Sequence, residues 1–136
     1  MPARDGALPR TAGWIALAYA IAIAVPNLWG GIYYGDGAAL IGAFVAATWT
    51  AAPVVAAAGF VAASPTRPGM RLFLVFELVL IASFAWVFID VAYVHPSSTG
   101  GFVFLTWPLV QWIAIAIVSI VAFLLGWRRR PDFMDG

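Results

Sequence analysis

Two acidic side chains, Glu77 and Asp90, lie within apolar stretches of the sequence, where their type and position could support chemistry. Ionisable groups at membrane depth are costly and usually face a cavity or a partner. Glu77 follows Arg71 by six residues, which is about 9 Å along a helix that rises 1.5 Å per residue, and Asp90 lies about 20 Å further along. This separation, together with their different helical phases, excludes a paired general acid and base.

Glu77 is the sharper candidate of the two. A carboxyl that deep, with no cation nearby, is expected to keep its proton at neutral pH. Its functional interpretation is a proton-coupling or substrate-binding group. The structural interpretation is a hydrogen bond to a neighbouring helix, or a side chain that reaches back towards Arg71. For Asp90 we expect an interfacial residue bonded to nearby backbone or water.

A looser set of polar residues lies in the outer half of the predicted spans, at a depth similar to that of Asp90. Asn27 follows a proline in the first apolar stretch, Trp107 and Gln111 are one helical turn apart in the last, and Trp86 shares a helix face with Asp90. These residues predict a pocket for a small amphipathic or lipid-like molecule. The alternative is interhelical hydrogen bonding that locks the helices together, at about 0.6 kcal/mol per bond.

Other kinds of site find no support in the sequence. There is no cysteine, and His95 is the single histidine, so we expect no metal site and no cofactor. No phosphate-binding loop or catalytic motif is present, and none of the patterns assigns the chain to a family. A net charge of +1 gives no general attraction to nucleic acid.

Composition then defines the elements that must position these residues. The 136 residues are 64% hydrophobic and 10% charged, whereas soluble domains carry roughly a quarter charged residues. The apolar stretches each reach the ~20 residues that a membrane-spanning helix needs, with short Gly- and Pro-rich separators. We therefore predict an all-α, integral membrane, antiparallel four-helix bundle forming a single transmembrane domain over residues 1–136. The predicted spans are 13–32, 38–63, 70–94 and 101–127.

Arginine placement predicts the orientation. All seven basic residues are arginines, and they precede the first span, lie between the second and third, or follow the fourth. Because basic residues near helix ends stay in the cytoplasm, we expect both termini there, in a bacterial inner (plasma) membrane. The start of the chain also resembles a signal peptide ending at Ala22-Ile23-Ala24, but the apolar run continues and cleavage would leave three spans.

Small residues predict how the helices meet, because close packing is what holds helices together in lipid. Ala16, Ala20 and Ala24 form a row at spacing four in the first helix. A second row, Gly42, Ala46 and Thr50, is expected to face it. The fourth helix lacks such a row, and its bulky residues are expected to face lipid or a partner, namely Ile113, Ile115, Ile117, Ile120 and Leu124.

Three functions are compatible with these patterns. The first is an accessory, scaffold or lipid-binding bundle whose partners are membrane lipid, another membrane protein or further copies of itself. The second is a small oligomeric transporter or channel in which Glu77 is the coupling carboxyl. The third is an intramembrane enzyme acting on an apolar, isoprenoid-like substrate, with aromatic rings stabilising cationic intermediates. The sequence favours these three functions in the order given. A non-enzymatic role is therefore preferred over catalysis.

Overall fold

The computed structural model describes residues 6–33, 35–96 and 100–128, which form a bundle of four long helices. They are α1 (Ala7–Tyr33), α2 (Gly37–Ala63), α3 (Arg67–Ile89) and α4 (Gly100–Arg128), and a π-helical turn, Asp90–Val94, extends α3. All four are long and apolar enough to cross a membrane. Four helices long and apolar enough to span a membrane are therefore confirmed, and α1 begins six residues earlier than the predicted span.

Helix boundaries follow from local chemistry. The Asp36 side chain accepts a hydrogen bond from the Ala39 N–H and caps α2, after a turn in which Gly35 has a φ of 85°. Thr66 caps α3 in the same way through the Gly69 N–H at 3.2 Å. Pro68 lies in the first turn of α3, where a missing N–H costs no intrahelical bond.

Helix α2 is the central element of the bundle and packs against all three other helices. Its closest partner is α1, as the small residues predicted, but the contact surface differs from the expected one. Ala16 and Thr50 are buried, whereas Gly42 is exposed with open space around its Cα. The close approach instead runs past Ala43, next to Gly31 of α1. The prediction for Gly42 is therefore wrong by one position.

The buried core is contributed unequally by the helices. Helix α3 buries Phe73, Glu77, Leu80 and Phe84, which lie on a single face of the helix. In α4 the bulky residues Ile113, Ile117, Ile120 and Leu124 are exposed as expected. Ile115 is only 3% exposed and belongs to the core, which corrects its assignment to the outer face.

Candidate functional site

Gln111 forms the polar link between α3 and α4. Its Nε2 donates to the Leu80 carbonyl at 2.9 Å and to the Ser83 hydroxyl at 3.2 Å. Ser83 in turn donates to the same carbonyl at 2.8 Å. Gln111 is 2% exposed, and its Oε1 has no partner among the described residues. The side chain thus acts as an interhelical hydrogen-bond donor, which agrees with the structural interpretation of this residue.

Glu77 lies one helical turn before this link, on the same buried face of α3. The side chain is 0% exposed. Neither carboxylate oxygen has a hydrogen-bond partner in the described part of the chain. Leaving a buried polar group unsatisfied costs roughly 1–3 kcal/mol, more when it is charged. Among the described residues, Glu77 therefore makes no hydrogen bond to a neighbouring helix and none to Arg71.

Asp90 pairs with a nearby residue of the same segment and does not form a shared site with Glu77. Its Oδ1 lies 2.9 Å from Nδ1 of His95, and both side chains are solvent-exposed at this end of the bundle. The π-helical turn brings the pair together, because residues five apart become neighbours when the His95 N–H bonds the Asp90 carbonyl at 2.7 Å. Helical spacing of 3.6 residues could not have predicted this pair.

The remaining predicted site residues do not share a cavity with Asp90. Asn27 is exposed and its amide donates to the Ile23 carbonyl of its own helix at 2.8 Å. Trp86 is 74% exposed, so its ring faces away from the bundle. Trp107 is half-buried and packs on the core, with no described partner for its indole N–H. Of the six candidates, Glu77, Gln111 and Trp107 turn inward.

A groove that the sequence reasoning missed opens at the end of the bundle formed by the α2–α3 loop. It has a volume of about 1,020 Å³. Its lining comes from the end of α2, the 64–69 loop, the start of α3 and the last turns of α4, and includes Phe60, Leu72, Phe73, Ser119, Ala122 and Leu125. In α4, Ser119, Ala122 and Gly126 are small residues at helical spacing, which corrects the expectation that this helix has no row of small residues, and that spacing was the available signal.

Two features of this groove have chemical consequences. The rings of Phe60 and Phe73 stack with centroids 5.2 Å apart and give the groove an aromatic wall. The Ser119 hydroxyl is buried and has no hydrogen-bond partner within the described residues. The lining is otherwise largely apolar. A groove of this character can hold an apolar chain and offer a hydroxyl to one polar atom.

Metal chemistry has no visible basis in the described ranges, where no three His, Asp or Glu side chains form a group that could hold an ion. Comparison of the chain with protein-family models, with curated proteins and with solved structures gives no match. Function must therefore be argued from the groove and the buried polar residues themselves.

Proposed function

We propose that this protein is a lipid-binding accessory protein of a bacterial inner membrane, an antiparallel bundle with both termini in the cytoplasm. The observation that carries the proposal is the groove of about 1,020 Å³ between the α2–α3 loop and the last turns of α4. Ligand pockets typically have volumes of about 300–1,000 Å³ and are mostly apolar, so this groove is large enough for a lipid-like chain.

The antiparallel arrangement is supported by the contacts between α3 and α4. Gln111 bonds Leu80 and Ser83, whereas Ser119, two turns later in α4, lines the groove with Phe73, which comes earlier in α3. These contacts are the ones expected of two helices that run in opposite directions.

Arginine placement supports the proposed orientation, in which the groove would lie at the cytoplasmic face. Arg67 and Arg71 belong to the first turns of α3, directly beside the lining loop, and in the sequence Arg128–Arg130 follow the lining residues of α4. Basic residues next to an anionic leaflet each contribute about 1 kcal/mol of attraction. The groove would thus open among the lipids of the inner leaflet.

The proposal is tested by filling the groove. Ala122 lines it, whereas Ala116 lies on the exposed surface of the same helix, so Ala122→Trp and Ala116→Trp are matched substitutions. Native mass spectrometry of protein purified in mild detergent should detect retained lipid in the wild type and in Ala116→Trp. Ala122→Trp should lose it. Equal retention by both variants would refute a specific site in the groove.

A transporter is the second candidate, and the burial of Glu77 favours it specifically. A carboxyl with 0% exposure and two unpartnered oxygens is the arrangement expected of a group that binds and releases a proton or substrate. Four helices seldom enclose a translocation path alone, so this function needs an oligomer. Proton-linked flux into proteoliposomes that disappears in Glu77→Gln, with the fold retained, would establish it. No flux in the wild type would exclude it.

Catalysis ranks last among the proposed functions. Asp90 pairs with His95 at an exposed turn, while Glu77 is enclosed and has no acid or base hydrogen-bonded to it among the described residues. An isoprenoid-processing enzyme would then depend on Glu77 alone.

A further inference from the structure

The loop end of the groove, where the 64–69 loop meets the first turn of α3, carries polar groups, whereas the rest of the lining is largely apolar. Ser64, Thr66 and Gly69 all line the groove. A Cβ built on Gly69 would lie 3.1 Å from the Ser64 hydroxyl oxygen and 3.1 Å from that of Thr66, so the two hydroxyls converge on this glycine. Thr66 Oγ1 accepts a hydrogen bond from the Gly69 N–H at 3.2 Å and keeps its own O–H to donate. The loop end therefore offers two hydroxyls close together.

Arginines flank the lining on two helices. Arg67 lies between two lining residues, Arg71 directly precedes the lining residue Leu72, and α4 ends at Arg128, two residues after its last lining residue. The side chains of Arg67 and Arg71 are exposed. Because consecutive Cα atoms are 3.8 Å apart, both arginines start within one residue of the edge of the groove.

Carboxylates do not offset these charges within the described ranges. Asp36 caps the start of α2 and Asp90 pairs with His95 beyond the end of α3, so both lie at the opposite ends of these helices from the groove. Glu77 is buried, and its oxygens have no hydrogen-bond partner in the described part of the chain. The described part of the loop end is therefore positively charged, and an anionic group complements it.

Backbone N–H groups at the start of α3 add little to this end. The Gly69 N–H bonds the Thr66 side chain, the Met70 N–H bonds the Thr66 carbonyl at 2.9 Å, and Pro68 has no N–H. An anion at this end would therefore depend on guanidinium and hydroxyl groups. Guanidinium groups donate paired N–H bonds that match the oxygens of a phosphate.

We propose that the groove takes an anionic phospholipid, with a hydrocarbon chain along the apolar lining and the phosphate at the loop end. Arg67 and Arg71 supply the positive charge there, and the hydroxyls of Ser64 and Thr66 supply further donors. This inference rests on the proposed lipid-binding function and narrows its ligand. An uncharged chain such as farnesol would occupy the apolar part of the groove alone, whereas the anionic head adds contacts at the loop end.

The experiment measures which lipid the full-length protein retains. Protein stripped of lipid in mild detergent is offered an equimolar mixture of phosphatidylglycerol and phosphatidylcholine with identical acyl chains, and native mass spectrometry gives the ratio retained. We expect the wild type to prefer phosphatidylglycerol. Arg71→Gln should lower the ratio about fivefold, which corresponds to about 1 kcal/mol for one basic residue beside an anionic head. Added salt should lower the wild-type ratio because it screens these charges. Equal retention of the two lipids by the wild type overturns the proposal.

Arg10→Gln is the matched control, because Arg10 is an exposed arginine in the first turn of α1, a helix that contributes none of the described lining residues. This variant should keep the wild-type ratio. An equal fall in Arg10→Gln and Arg71→Gln would show attraction to the whole surface and would overturn the contact at the loop end. Excess glycerol phosphate, which has the phosphate without the chains, should not displace phosphatidylglycerol, and displacement would overturn a lipid as the occupant. If retention of both lipids still depends on Ala122 without any preference between them, the lipid-binding function stands and only this inference fails.

Discussion

The contact between α1 and α2 at Gly31 gives the most quantitative prediction. A Cβ at this position would lie 2.9 Å from Ala43 Cβ and 3.2 Å from both the Ala39 carbonyl oxygen and Leu40 Cα. Two of these three atoms are backbone, so a rotamer change cannot relieve the clash. Overpacking of this kind typically costs about 1–3 kcal/mol. Gly31→Ala should therefore destabilise the pairing of α1 with α2.

The adjacent glycine provides the matched control, because a Cβ on Gly30 meets nothing within 4 Å. Both substitutions replace glycine by alanine inside α1, and the gain in helix propensity of about 1 kcal/mol is common to both. It cancels in the comparison, so Gly31→Ala should be less stable than Gly30→Ala by about 1–3 kcal/mol. Reversible unfolding in mixed micelles, followed by tryptophan fluorescence, measures this difference. Equal stability of the two variants would refute the close approach of α1 and α2.

Further predictions concern the polar links and the topology. Gln111→Leu should lower the free energy of unfolding by about 1 kcal/mol, because it removes two interhelical hydrogen bonds at roughly 0.6 kcal/mol each. Asn27→Leu breaks a hydrogen bond within its own helix and should lower the free energy of unfolding by less. Equal losses would contradict the interhelical role of Gln111. Trp49→Phe removes the 3.0 Å bond from its indole N–H to the Leu105 carbonyl and should cost about 0.6 kcal/mol relative to Trp14→Phe at an exposed position, in the same unfolding assay. Because the chain has no cysteine, single introduced cysteines report its topology. In intact cells, a membrane-impermeant maleimide should label Asp36→Cys and His95→Cys but not Ser64→Cys. The reverse labelling pattern would invert the proposed orientation.

The helices were predictable from the sequence because lipid-spanning segments need long apolar runs, and the separators contain the caps that end them. The rotation of each helix was less predictable. Gly42 and Ala43 are both small, so residue size alone cannot decide which of them faces α1. In the structure Ala43 lies next to Gly31 of α1. The distance from Arg71 predicts a depth for Glu77 within the span, but the complete burial of the side chain depends on how the neighbouring helices enclose that face.

The groove and the Asp90–His95 pair could not be predicted from the sequence for a different reason. The groove depends on how far α4 stands from the start of α3, which is set by side chains from three helices together. The pair depends on a π-helical turn, a local departure from regular helical spacing. Polar type alone likewise suggested that Asn27 and Trp86 point inward, whereas both are exposed because their helix faces carry no packing partner at those positions.

Photocrosslinking tests the central claim, that the groove binds a lipid-like molecule, most directly. A diazirine-bearing farnesol analogue would be activated by light with the wild-type protein in nanodiscs, and the adducts mapped by peptide mass spectrometry. We expect saturable adducts on residues 60–73 and 119–126 that unlabelled farnesol in excess removes. Adducts spread evenly over exposed apolar positions such as Trp14 and Ile41, and insensitive to competitor, would contradict a binding site in the groove.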